Sequence, residues 1–207
     1  IKMKRDRRNW SVEQKRNLLF DAGDPPRCWI CGAKFHKQSV ECYLSPGCEG
    51  DIPLPHQVDI MTPKGLYQDD LKIQIDHAIP FSRGGTEEND NLRLACGWCN
   101  RYKSSHTNLY DVGGITIAGN QEIPEVSSLP KPFWSVRFMV VYGKCQFQGA
   151  EGCDKSVKSE EIRIAPINTN GAMNPRNLQL TCPEHDPIRS SRLQSLRRAR
   201  KVWGKKA

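Results

Sequence analysis

Two Cys-x-x-Cys pairs constrain this 207-residue chain more than any other feature. Cys28-Trp29-Ile30-Cys31 and Cys96-Gly97-Trp98-Cys99 have the spacing of zinc knuckles, and two such pairs make one tetrahedral four-thiolate site. Four protein ligands leave no position for water, so this zinc is structural. It ties a segment near the N-terminus to one in mid-chain. Cys42 and Cys48 offer an alternative to the Cys28/Cys31 pair, or are free thiols. A metal staple suits the size, because 37% hydrophobic residues allow one domain, or two small ones, with a thin apolar core. The odd total of nine cysteines argues for metal-bound thiolates in a reducing cytoplasm rather than a fully disulfide-bonded secreted domain. No apolar run approaches the roughly 18 residues needed to span a membrane, and no signal-peptide pattern opens the chain, so no membrane partner is expected.

A denser pattern surrounds the second pair. Leu71-Lys72-Ile73-Gln74-Ile75 alternates apolar and polar residues and predicts a strand that delivers Asp76 and His77 at its end. Residues 81–90 read as a polar loop containing Arg83 and Gly84-Gly85. Leu92-Arg93-Leu94 predicts a short second strand, and a helix starting near Gly97–Cys99 carries Asn100, Arg101 and Lys103. A histidine titrates close to neutral pH, so His77 suits the task of taking a proton from water. Asp76 offers a hard oxygen ligand. Adjacent strand residues leave opposite faces, so one of the two must be redirected at the strand end. Lys103, one turn beyond Asn100, shares its helix face and, with Arg83 and Arg101, is a candidate phosphate contact.

The ordered run from Cys28 to Lys103 resembles the HNH endonucleases, also called His-Me finger or ββα-metal nucleases, over residues 27–105. The resemblance implies phosphodiester hydrolysis with His77 as general base. It also implies one divalent ion, Mg²⁺ or Mn²⁺, held by Asp76 and Asn100, with Asn91 bracing the loop behind the histidine. Asparagine bonds nearby backbone readily, which agrees with a structural part for Asn91 within the catalytic set His77, Asp76, Asn100 and Asn91. Duplex DNA is the implied substrate, and restriction or anti-phage defence the implied setting, with a homodimer or a defence-system subunit as partner. Two rival readings are a zinc-stabilised nucleic-acid-binding or adaptor protein that does not cut, and an RNase or toxin-like nuclease.

Gly171 to Asp186 repeats Gly85 to Asn100 at a constant offset of 86, and Pro80 maps onto Pro166 without a gap. At that offset Asp76 becomes Ile162 and His77 becomes Arg163, so the copy has lost the catalytic pair. Cys182 and His185 survive and pair with Cys145 and Cys153 as a second structural zinc site. The expected class is α+β, a small zinc-stabilised ββα unit plus a degenerate zinc-binding copy with flanking helices. Residues 1–110 hold the first unit and an N-terminal helix capped by Ser11 and Gln14, with Val12, Leu18 and Leu19 as its buried stripe. Residues 44–66 read as an irregular insertion, 111–134 as a linker, 135–189 as the copy and 190–207 as a basic helix capped by Ser190-Ser191. The net charge of +8 is concentrated at the two ends: residues 1–8 carry +4 and residues 189–207 carry +8. Arg192, Arg197 and Arg198 are therefore expected to grip a polyanion.

Overall fold

The computed structural model describes residues 10–45, 47–48, 50–107, 132–149, 151–171 and 175–204. Charged residues 1–8 and nearly all of the expected 111–134 linker lie outside that set.

The first unit is built as its residue pattern dictates. Helix α1 (Val12–Asp21) opens on the expected capping box, in which Gln14 N–H donates to Ser11 Oγ and Ser11 N–H to Gln14 Oε1. Leu18 is buried, but Val12 is 42% exposed, so the buried stripe is narrower than expected. An unforeseen helix, α2 (Lys37–Leu44), follows the first knuckle. Strand β2 (Ile73–His77) begins two residues later than expected and pairs antiparallel with β3 (Leu92–Cys96). Helix α3 (Gly97–Lys103) follows β3 directly, which completes a ββα unit. A Cβ at Gly97 would collide with the Asp69 carbonyl oxygen, so the start of α3 has room for glycine only.

The segment expected to be irregular supplies a strand. β1 (Gln57–Asp59) pairs antiparallel with β6 (Leu193–Ser195), so mid-chain and C-terminal segments share a two-stranded sheet. Strand β6 displaces the start of the last helix: α5 (Leu196–Trp203) is capped by Ser195, not by Ser190 or Ser191. Helix α4 (Pro132–Tyr142) begins inside the expected linker.

The second half repeats the first in hydrogen-bond detail. Strands β4 (Arg163–Pro166) and β5 (Leu178–Thr181) pair antiparallel. Cys28 N–H bonds Ala33 O and Trp29 N–H bonds Leu94 O; in the copy, Cys145 N–H bonds Lys155 O and Gln146 N–H bonds Leu180 O. The register corrects the constant offset, however. His77 faces Leu92, and Pro166 faces Leu178. The hairpin loop therefore holds 14 residues, 78–91, in the first copy and 11, 167–177, in the second. The residues standing where Asp76 and His77 stand are Ala165 and Pro166, not Ile162 and Arg163. Neither replacement offers a ligand or a base. The largest apolar cluster joins both halves, running from Cys28, Ile30 and Trp98 to Val136, Ile164, Leu180 and Ile188.

Candidate nuclease site and cysteine clusters

The site lies in the seam between β2 and α3. Alternation along β2 sends Gln74 and Asp76 toward α3, where Asn100 Nδ2 donates to Gln74 Oε1 at 2.7 Å and Lys103 Nζ donates to Asp76 Oδ1 at 3.1 Å. Ile73 and Ile75 pack instead with Leu18, Tyr43, Leu92 and Leu94 beneath α1 and α2. His77 stands opposite Leu92, a member of that second face. Asp76 and His77 thus leave the strand on opposite faces, and the expected redirection does not occur within β2. His77 Nε2 is enclosed and has no hydrogen-bond partner among the described residues.

Asp76 is enclosed by protein groups. Trp29 Nε1–H donates to Oδ2 at 3.0 Å and Lys103 to Oδ1, with Lys103 also donating to the His77 carbonyl at 2.7 Å. Burial pushes the Asp76 carboxyl above its ordinary range, and the Lys103 ammonium is the strongest influence pulling it back. Lys103 is 1% exposed, so it is the buried counter-ion of Asp76 and not the surface phosphate contact expected of it. The physical reason is position: one turn after Asn100, the same helix face that meets β2 meets Asp76. As arranged, the seam does not fit a Mg²⁺ or Mn²⁺ ion. Asp76 and Asn100 share it, but the Lys103 ammonium on Oδ1 and the Trp29 N–H on Oδ2 occupy the Asp76 carboxylate where a cation would sit.

Asn91 is tied into the loop behind His77. Its Oδ1 accepts from Ile79 N–H at 2.8 Å, and its Nδ2 donates to the carbonyls of Ile79 at 3.0 Å and Thr86 at 2.8 Å. A Cβ at Gly85 would strike the Ile79 carbonyl and the Asn91 amide, which explains a glycine there. Asn177 repeats the brace in the copy, bonding both N–H and C=O of Asn168. Around the seam, Arg83 is exposed in the turn Phe81–Arg83, while Arg101 is half-exposed and bound to buried Asp70 at 2.6 Å.

Both expected cysteine clusters assemble. The sulfurs of Cys28, Cys31, Cys96 and Cys99 lie within 4.8 Å of one another, and so do the ligand atoms of Cys145, Cys153, Cys182 and His185. All four residues of the first set are buried in the apolar core. Hydrogen bonds from its neighbours, Cys28 foremost, hold the Cys31 thiol well below its ordinary range. The Cys28 contact pushes Cys96 up and burial pushes Cys99 up, so without a metal the cluster keeps part of its protons. Four sulfurs converging in a dry core fit a structural Zn²⁺. In the second set, His185 Nδ1 lies 3.6 Å from Cys145 Sγ and 3.3 Å from Cys182 Sγ, which leaves Phe147 stacked on the ring. Cys42 and Cys48 form a disulfide, so they are neither free thiols nor the alternative pair of ligands.

Arg192 also differs from expectation. It is fully buried, with Nε on Asp186 Oδ2 at 2.6 Å, Nη1 on Asp59 Oδ2 at 2.6 Å, and Nη2 on the Ile164 carbonyl. It cannot meet a polyanion from there. Arg197 and Arg198 are exposed on α5. Three residues of these sites escaped the sequence reading: Trp29, Gln74 and Lys64, whose ammonium reaches Cys31. Gln74 could have been found, since it stands two positions before Asp76 on the same strand face.

Residues 66–106 match the sequence model of the HNH endonuclease family. That span covers the end of the 57–72 segment, which runs from β1 up to β2, and then the ββα unit, Asp76, His77, Asn91, Asn100 and the Cys96/Cys99 knuckle. The match supports a nuclease-type function for this part of the chain and implies a nucleic-acid substrate. Comparison with curated proteins and with solved structures returned no match. No helix among the described residues is long and apolar enough to cross a membrane.

Proposed function

We propose that the protein is an HNH endonuclease that hydrolyses phosphodiester bonds in DNA, with His77 as general base. The observation that carries this reading is the intact ββα seam inside the matched span: Asp76 and Asn100 both reach it, and Asn91 fixes the loop that leaves His77. The copy has the same scaffold with Ala165 and Pro166 in place of the acid and the base. His77 Nε2, unpartnered among the described residues but enclosed, takes the proton from the attacking water only once its cover opens to admit that water. Asn91 holds Ile79 and thereby the end of β2, so its part is positioning. Asp76 holds Lys103, and Lys103 holds the His77 carbonyl. Mg²⁺ or Mn²⁺ would reach the Asp76 and Asn100 oxygens only after Lys103 leaves the carboxylate. The two cysteine clusters hold structural zinc, and exposed Arg197 and Arg198 contact DNA phosphates. A role in restriction or anti-phage defence rests on the resemblance.

The test is conversion of supercoiled plasmid to nicked or linear product in Mg²⁺ or Mn²⁺, comparing wild type with His77→Ala. Loss of a general base lowers the rate by about 10²–10⁴-fold. Equal nicking by the two proteins refutes the reading. Labelled RNA in the same assay separates a DNase from an RNase, and tight DNA binding without cleavage would support the non-cutting module.

A further inference from the structure

We infer that Lys64 is the outer partner of the first zinc site: a part-buried ammonium that bonds the Cys31 sulfur and offsets part of the charge of the four-thiolate cluster. This rests on the zinc reading of Cys28, Cys31, Cys96 and Cys99. Lys64 lies in the 57–72 segment, far in sequence from both knuckles. Its Nζ sits 3.5 Å from Cys31 Sγ and 3.0 Å from Glu161 Oε1, and its side chain is only 17% exposed.

The charge balance explains why a lysine belongs there. Four thiolates around one Zn²⁺ leave two uncompensated negative charges in an apolar core, where water cannot screen them. An N–H···S bond from the ammonium, which it shares with half-exposed Glu161, offsets part of that charge and draws electron density from Cys31. Glu161, at the rim, fixes the lysine head against the cluster.

The same corner is sealed from the second half of the chain. Ile162 N–H donates to the Cys31 carbonyl at 3.0 Å. Gly32, with φ of 71°, turns the knuckle so closely under residues 157–160 that a Cβ would meet the Glu160 carbonyl and Val157. The outer shell of the first metal is therefore supplied by the 57–72 segment and by the copy together. Folding of the second half and retention of the first zinc are thereby linked.

The test uses the full chain and three substitutions. Lys64→Met removes charge and donor, Lys64→Gln keeps an N–H without charge, and Lys64→Arg keeps both. Zinc content of the wild type is measured first, and a wild type without zinc overturns both this inference and the zinc reading beneath it. Zinc transfer to a colorimetric chelator is then timed. Outer-shell partners typically change metal affinity about 10–100-fold, so Lys64→Met is expected to lose its first zinc faster by that order. Lys64→Gln should fall between, and Lys64→Arg should stay near wild type. Cadmium-substituted protein gives separate NMR resonances for four-sulfur and three-sulfur-one-nitrogen sites. Only the four-sulfur resonance should move in Lys64→Met and Lys64→Gln. Unchanged release and an unmoved four-sulfur resonance in both variants overturn the inference while leaving zinc itself in place.

Discussion

Replacing Lys103 by methionine tests whether the seam is held by its buried ion pair. The side chains of Lys103 and Asp76 are 1% and 6% exposed, so solvent screens their attraction little. Methionine nearly matches the lysine stem in volume and removes the ammonium, leaving the Asp76 carboxylate with Trp29 alone. Breaking a buried pair in this way costs about 3–5 kcal/mol. In a chain of this size each kcal/mol moves the midpoint by roughly 2–4 °C, so the variant should melt about 6–20 °C lower at neutral pH.

The loss should depend on pH in a definite direction. Burial raises the Asp76 pKa in the folded protein, and Lys103 opposes that rise most strongly. A raised folded pKa gives stability that is complete below the unfolded pKa and lost as pH climbs through the folded one. Without Lys103 the folded pKa rises further, so the variant regains stability on acidification from a higher pH than the wild type does. Thermal unfolding of both proteins across mildly acid to neutral pH should show the gap narrowing as pH falls. The double variant with Asp76→Asn should lose less than the sum of the two single changes. A gap constant across pH would mean that lysine contributes packing only, and no gap would mean that the pair is not formed.

Three further outcomes follow from particular contacts. Arg192→Leu should destabilise the fold by about 3–5 kcal/mol in chemical denaturation, because it strands Asp186 and Asp59, whereas a DNA-contact role would leave unfolding unchanged. Alanine at both Arg197 and Arg198 should leave the melting temperature where it is while lowering the salt dependence of DNA binding by about two phosphate contacts, read from log affinity against log salt. Asn91→Ala unties Ile79 and Thr86 and should cost about 1–3 kcal/mol, with faster hydrogen exchange in residues 78–86 as the local signature.

Much of the ββα unit was legible because its signals are local. Strand alternation from Leu71 to Ile75, the Leu92-Arg93-Leu94 pattern and the Cys-x-x-Cys spacing each fix a conformation within a few residues. Both cysteine clusters were legible for the same reason: ligand type and spacing survive without knowledge of the path between them. Polar side chains whose partners lie far along the chain were not legible. Lys103 and Arg192 looked like surface cations because a lysine or arginine seldom lies buried, and only the fold brings Asp76 and Asp186 to them. The β1–β6 pairing was hidden in the same way, since three-residue strands joining distant segments carry no pattern of their own. The shorter hairpin in the copy was missed because Pro80 and Pro166 align in sequence, while hydrogen-bond register ignores that coincidence.

The two copies, set side by side, separate what the scaffold needs from what the chemistry needs. Both keep the knuckle hairpin, the sulfur cluster and an asparagine brace, so these belong to the scaffold. In the copy, the position of Asn100 is Asp186, and Arg192 closes on it with two bonds while also binding Asp59. Asp186 accepts from Ile188 N–H as well as from Arg192, and Ala165 and Pro166 offer no base. The first copy also places a cation on its acid, yet a single ammonium on a flexible stem holds Asp76, and Asn100 Oδ1 and His77 Nε2 keep acceptor capacity. Arg192 grips two carboxylates at once, whereas Lys103 holds one carboxylate and the His77 carbonyl. That contrast is the reason the proposed nuclease chemistry is assigned to the first unit and not to the copy.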